Sequence, residues 1–422
     1  MKRQLLTIGS LWVCSLLFAH PCSSGQEMQW IDHVEMYTSK RPPVEKRLFR
    51  SEVVERVIEE TVTLLKNEKL KWMFANCFPN TLDTTVFYES EPEDDTFVVT
   101  GDIPAMWLRD SSAQVWPYLM YANEDERLRK MIRGVILRQF RLVLLDPYAN
   151  AFYRDLSGKG EWQNDRTPMR GGIHERKWEI DSLCYVVRLA YHYWKVTGDD
   201  SVFTAEWMQV VESILTVFKD QQRKENRGNY SFLRVTDRQY DTLSNDGYGN
   251  PVRANGLIAS SFRPSDDATV YPFLIPSNFF AVTSLRQMEE ILLKVNKNKA
   301  MARACNVLYM EVGEALKKHA IHKHPTYGKI YAFEVDGYGN QLCMDDANIP
   351  SLLALPYICD VKPSDRIYQN TRKYLLSLDN PYFFKGKYAE GIGGPHIGMD
   401  MVWPMSICLL YTSPSPRDVE ES

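Results

Sequence analysis

At 422 residues, 44% of them hydrophobic, the chain is long enough to bury a large core. Its 50 basic and 54 acidic side chains leave a net charge of −4, which excludes the basic face of a nucleic-acid binder and the polybasic patch of a membrane-surface protein. Aromatic residues make up 12% of the chain, with 10 Trp and 23 Tyr, a richness that fits either large cores or the stacking of sugar rings.

Lys2 and Arg3 precede an apolar run over 5–19 and then the small polar stretch Cys22, Ser23, Ser24, Gly25. That order predicts a leader over 1–25, cleaved and leaving no stable membrane insertion, with an uncleaved anchor as the lesser alternative. The chain is therefore expected to be secreted or held in a secretory-pathway lumen (the periplasm in a bacterium). Cys77, Cys184, Cys305, Cys343, Cys359 and Cys408 are scattered without a CxxC pair, so no zinc site is expected, while one or two disulfides fit an oxidising compartment. Asn229-Tyr230-Ser231 is a glycosylation sequon.

Helical stripes follow. Val54, Ile58, Val62 and Leu65 share one face, as do Ala281, Leu285, Met288, Leu292 and Val295, and again Met301, Cys305, Leu308 and Val312. Further helices are predicted near 124–144, 178–196, 203–220 and 363–376. Strand patterns are scarce apart from 97–99. No stretch has a linker's composition, so 26–408 reads as one all-α catalytic domain of paired helices, an α/α toroid whose loops build a site at one end.

Five loop-like stretches hold the chemistry. The first, 100–110, places Asp102, Trp107, Arg109 and Asp110 together, offering a stacking face, a bidentate donor and acceptors for sugar hydroxyls. An Arg–Asp pair fixing a loop is the bland alternative. The second, 171–181, carries Trp178, Glu179 and Asp181 just before a helix and reads as a wall of the site. The third carries Arg263, Asp266 and Asp267, adjacent carboxylates whose environments can split their pKa values, or simply a helix cap. In the fourth, Asp345, Asp346 and Asn348 open an apolar helix, and capping accounts for one of the two acids. The fifth, 387–398, combines Glu390 and His396 with glycines that let backbone come close to a ligand. Three acid-rich loops on helix pairs suit glycosidic hydrolysis, which uses one carboxyl group as general acid and another as base or nucleophile.

Taken together these stretches resemble glycoside hydrolase family 125. The resemblance rests on Thr-Gly-Asp-Ile-Pro-Ala-Met-Trp-Leu-Arg-Asp (100–110), Lys-Trp-Glu-Ile-Asp-Ser (177–182), Phe-Arg-Pro-Ser-Asp-Asp-Ala (262–268), Met-Asp-Asp-Ala-Asn-Ile-Pro-Ser-Leu (344–352) and Gly-Ile-Gly-Gly-Pro-His (391–396), and it covers roughly 28–407. It implies an (α/α)6 barrel that releases terminal α-1,6-linked mannose from N-glycan or mannan fragments with inversion, without metal or other cofactor. The expected partner is then a mannose-containing oligosaccharide, not nucleic acid, and the chain is expected to act as a monomer. The general acid falls on the Asp266–Asp267 pair, with Asp267 preferred although the motif does not decide. Asp102, Trp107, Arg109, Asp110, Glu179, Asp181, Arg263, Asp345, Asp346, Asn348, Glu390 and His396 become candidate substrate-binding residues.

The resemblance weakens after 407. Family members continue there into a Met-His-Glu segment whose Glu acts as general base, whereas this chain reads Leu-Tyr-Thr-Ser-Pro-Ser-Pro over 410–416. The expectation is a barrel lacking its last helices and its water-activating base, with an atypical tail over 409–422; Glu390 as a stand-in base is the lesser alternative. A non-catalytic mannoside-binding protein is the alternative.

Overall fold

Most of the stripes become helices opened by a capping side chain. In the computed structural model, which describes residues 37–412, Ser51 Oγ accepts from the Val54 N–H at 3.3 Å and opens α1 (Glu52–Leu64). Capping of this kind satisfies one of the donors that a helix start leaves free. α2 (Glu68–Cys77) is opened by Asn67, and the short α3 (Asn80–Thr84) follows. Next come α4 (Leu108–Val115), α5 (Glu126–Leu145, capped by Asp125), α6 (Ile180–Thr197) and α7 (Ala205–Gln221, capped by Thr204). α8 (Ile275–Lys294), α9 (Lys299–His319, capped by Asn298), α10 (Leu355–Ile358), α11 (Arg366–Leu375, capped by Asp365) and α12 (Pro404–Thr412) complete the order. The leader expected over 1–25 and the residues from 413 onward lie outside the described residues.

α6 and α8 are buried nearly all round, the pattern of a central helix. α6 packs on α4, α5 and α8, and α8 packs on α9. A large apolar core takes in residues from Phe49 to Leu409. α12 runs across position 408 to Thr412, the last described residue.

Short strands are more numerous than the sequence suggested. β1 (Val86–Glu89) pairs with β2 (Asp95–Val98), and β3 (Met106–Trp107), β4 (Ala151–Phe152) and β5 (Ile173–Glu175) form a small antiparallel sheet. β6 (Phe273–Leu274) joins β9 (Glu334–Val335) and β10 (Gln341–Leu342), while β7 (Ile321–His324) with β8 (Gly328–Tyr331) and β11 (Phe383–Lys385) with β12 (Glu390–Ile392) are hairpins. Strands of two to four residues are too short for an alternating pattern to stand out. No helix among the described residues is long and apolar enough to cross a membrane. Cys77, Cys184, Cys305, Cys343 and Cys359 are free thiols, so none of the disulfides considered above forms among these five.

Candidate active site

Helices α4, α6 and α8 start without a side-chain cap, and each is entered by one of the acid-bearing stretches. Trp107 and Leu274 at two of the N-cap positions have no oxygen to offer, and the third residue is drawn elsewhere. Glu179 occupies the N-cap position of α6, yet its Oε2 accepts from Arg109 Nη1 at 2.7 Å, and from Ser182 Oγ at 2.9 Å. Asp181 Oδ2 takes a second bond from Arg109 Nη1 at 3.1 Å. Asp110 lies 3.6 Å and Asp266 3.8 Å from the same guanidinium. Glu179 and Asp181 are fully buried, and Arg109 is nearly so.

One guanidinium faces four carboxylates, an excess of acid that favours the protonated form of the buried ones. Burial drives the Glu179 carboxyl well above the ordinary range against the pull of Arg109, with Asp266 and Asp181 adding repulsion. Asp181 is pushed up to about 6, again by burial and again opposed by Arg109. Burial raises Asp110 as well. Glu179 Oε1 and Asp181 Oδ1 are buried and make no hydrogen bond within the protein. Buried polar atoms are nearly always paired, so two buried carboxyl oxygens without a partner are an exception.

The Asp266–Asp267 pair sits on a tight turn and caps no helix, because α8 begins only at Ile275. Arg263 N donates to Asp267 O at 2.8 Å and Asp266 N to Arg263 O at 2.9 Å, which places Asp266 in the left-handed region at φ 66°. Asp266 Oδ1 accepts from Asn150 Nδ2 at 3.3 Å. Asp267 is buried; its Oδ1 accepts from His396 Nδ1 at 3.0 Å, while Oδ2 has no partner within the protein. The hydrogen bond from Asp267 is the largest influence on His396 and holds its pKa above the usual imidazole value against burial. Arg263 is buried, donates through Nε to Glu334 Oε1 at 2.6 Å, and leaves Nη2 free.

The fourth stretch divides its two acids. Asp345 accepts from the Leu352 and Leu353 N–H groups at 2.8 and 3.0 Å and closes the turn before α10, but it does not cap that helix, whose N-cap is Ala354. Burial nonetheless pushes it up to about 8. Asp346 faces the Asp266–Asp267 turn, accepting from Ser265 Oγ at 2.8 Å and from Asn348 N and Nδ2 at 3.1 and 3.0 Å. The glycines of the fifth stretch let backbone approach Asp346 rather than open a path to solvent: a Cβ on Gly394 would stand 3.0 Å from Asp346 Oδ1.

Other candidates stand further out. Asp102 is exposed on the turn leading into β3. Trp107 is mostly buried, with its ring edge-on to His174 at 5.2 Å, and His174 in turn bonds Tyr153 Oη at 2.8 Å. Glu390 is 44% exposed and 3.2 Å from Lys385, a surface ion pair. Trp178, read from sequence as a wall of the site, belongs to the core: its indole donates to Ala259 O at 2.8 Å and its N–H to Tyr230 Oη at 3.0 Å. Sequence reading missed Asn150, Lys177 and Glu334. Glu334 alone had a signal, as one acid between apolar Phe333 and Val335 on a short strand. It is fully buried and accepts from Arg263 and from the Val270 and Tyr271 N–H groups at 3.0 and 2.9 Å.

Carboxyl groups in contrasting environments, gathered at the entrances of helices, are the equipment of a glycoside hydrolase. The family described as metal-independent alpha-mannosidases, glycoside hydrolase family 125, matches residues 67–422. The chain is 44% identical over 387 residues to the meiotically up-regulated gene 157 protein of Schizosaccharomyces pombe, covering 87% of this chain and 76% of that one. It superposes with a TM-score of 0.82 and 42% identity on a Streptococcus pneumoniae member of a family of metal-independent alpha mannosidases, solved as a non-productive complex with alpha-1,6-mannobiose, with 89% of this chain and 88% of that chain covered. The chain belongs to glycoside hydrolase family 125.

Proposed function

We propose that this protein removes terminal α-1,6-linked mannose from N-glycan or mannan fragments, acting from the chain end and with inversion. The observation that carries the reading is Asp267, a buried carboxyl with one oxygen bonded to His396 and the other unbonded. Protonated at Oδ2, it can give its proton to the glycosidic oxygen as the bond from that oxygen to C1 breaks. The carboxylate it becomes is met by His396, and water bonds to C1 from the opposite face while a carboxylate there takes its proton. The free oxygens of Glu179 and Asp181 are buried, which suits the hydroxyls of a terminal sugar better than those of a residue inside a chain. The mannobiose carried by the pneumococcal relative supports the linkage.

The same reading makes the paired helices an (α/α)6 toroid, the acting species a monomer, and residues 1–25 a leader to the secretory route. The test is incubation of the full chain with α-1,6-mannobiose, following products by proton NMR. Mannose appearing first as the β anomer is the expected result. Mannose appearing first as the α anomer would replace inversion by retention. Saturable binding without release of mannose would make the protein a mannoside binder instead.

A further inference from the structure

Behind the Asp266–Asp267 turn lies a cation that the mechanism does not use. The Lys177 side chain is 3% exposed, a rare depth for lysine. Its Nζ donates to the Asp266 backbone carbonyl at 2.9 Å and to Asp241 Oδ1 at 2.7 Å, with Glu175 Oε1 at 3.5 Å. The ammonium also lies 5.1 Å from the centre of the Phe262 ring, at the start of the same loop. Burial works against its charge, but Glu175, Asp266 and Asp241 together outweigh burial, so the group stays a cation.

The carbonyl it holds belongs to one of the few non-glycine residues with a left-handed backbone among the described residues. Asp266 is not glycine, yet its φ is 66°, a region that an L-residue occupies at a cost and keeps only when its surroundings impose it. Two of the bonds that shape the turn, Arg263 N to Asp267 O and Asp266 N to Arg263 O, lie within it and travel with it. The Lys177 bond instead ties the turn's backbone to the segment that leads from β5 into α6, which also carries Glu179. We infer that Lys177 is a positioning residue: by fixing the Asp266 carbonyl it sets where the two neighbouring carboxyl groups point relative to the Arg109 cluster.

A merely structural lysine would cost stability on removal and leave the turnover of folded molecules alone. The inference rests on the mannosidase reading for its kinetic readout, and the full chain is compared as wild type, K177M and K177R. Expected is a fall in kcat on α-1,6-mannobiose of about 100-fold in K177M with little change in KM, as a small misplacement of catalytic groups produces, and partial recovery in K177R. A crystal structure of K177M should have Asp266 out of the left-handed region. Unchanged kcat together with an unmoved Asp266 overturns the inference. If K177M does not fold, D241N, which keeps the lysine and removes the charge that aims it, gives the same two readings at smaller amplitude. If the wild type releases no mannose, the mannosidase reading fails, and the Asp266 backbone in the variant's structure still decides the role of Lys177.

Discussion

Two buried ionic clusters lie on either side of Asn150, built from the same residue types to opposite ends. In front, Arg109 alone faces Glu179, Asp181, Asp110 and Asp266, and two buried carboxylate oxygens stay unbonded. Behind, Arg234 donates to Asp165 at 2.9 and 2.7 Å and lies 2.9 Å from Glu175 and 3.1 Å from Asp241, while Lys177 takes a further bond to Asp241. None of these rear side chains leaves a buried polar atom without a partner among the described residues. Asn150 joins the two, giving Nδ2 to Glu175 at 3.1 Å and to Asp266 at 3.3 Å. Burial of charge is common to both, so burial does not mark function. Excess acid and unbonded oxygens do.

The largest effect expected from this contrast is at Asp267. D267N should slow mannose release by about 10²–10⁴-fold, the span of a lost general acid, while mannobiose binding measured by calorimetry survives. Equal losses of binding and turnover would move the acid to Asp266. In the rear cluster, apart from Lys177 and the Asp241 that aims it, the loss should be of stability. R234M leaves buried carboxylates uncompensated and should cost about 3–5 kcal/mol in urea unfolding, with kcat of the folded fraction nearly unchanged. If R234M instead abolishes turnover at full stability, the division between the clusters is broken.

Smaller effects sharpen it through pH. The Glu179 pKa is higher in the folded chain than in the unfolded one, so folding binds a proton and the stability it contributes falls as pH rises towards the folded value. E179Q removes that dependence. Its unfolding free energy relative to wild type should therefore rise between pH 5 and pH 8, while mannoside affinity drops; the same difference at both pH values would mean an ordinary carboxylate. His396 gives the smallest change. Its folded pKa is raised, so its bond to Asp267 stabilises fully below the unfolded imidazole value and less as pH rises through the folded one. H396A should lower Tm more at pH 6 than at pH 9, which thermal unfolding at the two pH values would check.

The sequence by itself determined the long helices, because a periodicity of apolar residues such as Ala281, Leu285, Met288 and Leu292 is local, and α8 spans that stripe, whereas α2, α3, α4, α10 and α12 were not read from it. It also determined which stretches carry acid, and for the second and fourth that a helix follows. Only the tertiary structure decided how each acid is used. Arg109 meets Glu179 and Asp181 across 70 and 72 residues, Asp267 meets His396 across 129, and Ser265 meets Asp346 across 81. No pattern within a few residues distinguishes Asp345, which closes a turn, from Asp346, which faces the Asp266–Asp267 turn, or Trp178 in the core from Trp107 beside the acid cluster. Hydrogen-bond partners are assigned by the packing of distant segments, and whether a carboxylate oxygen is bonded or left free is settled there.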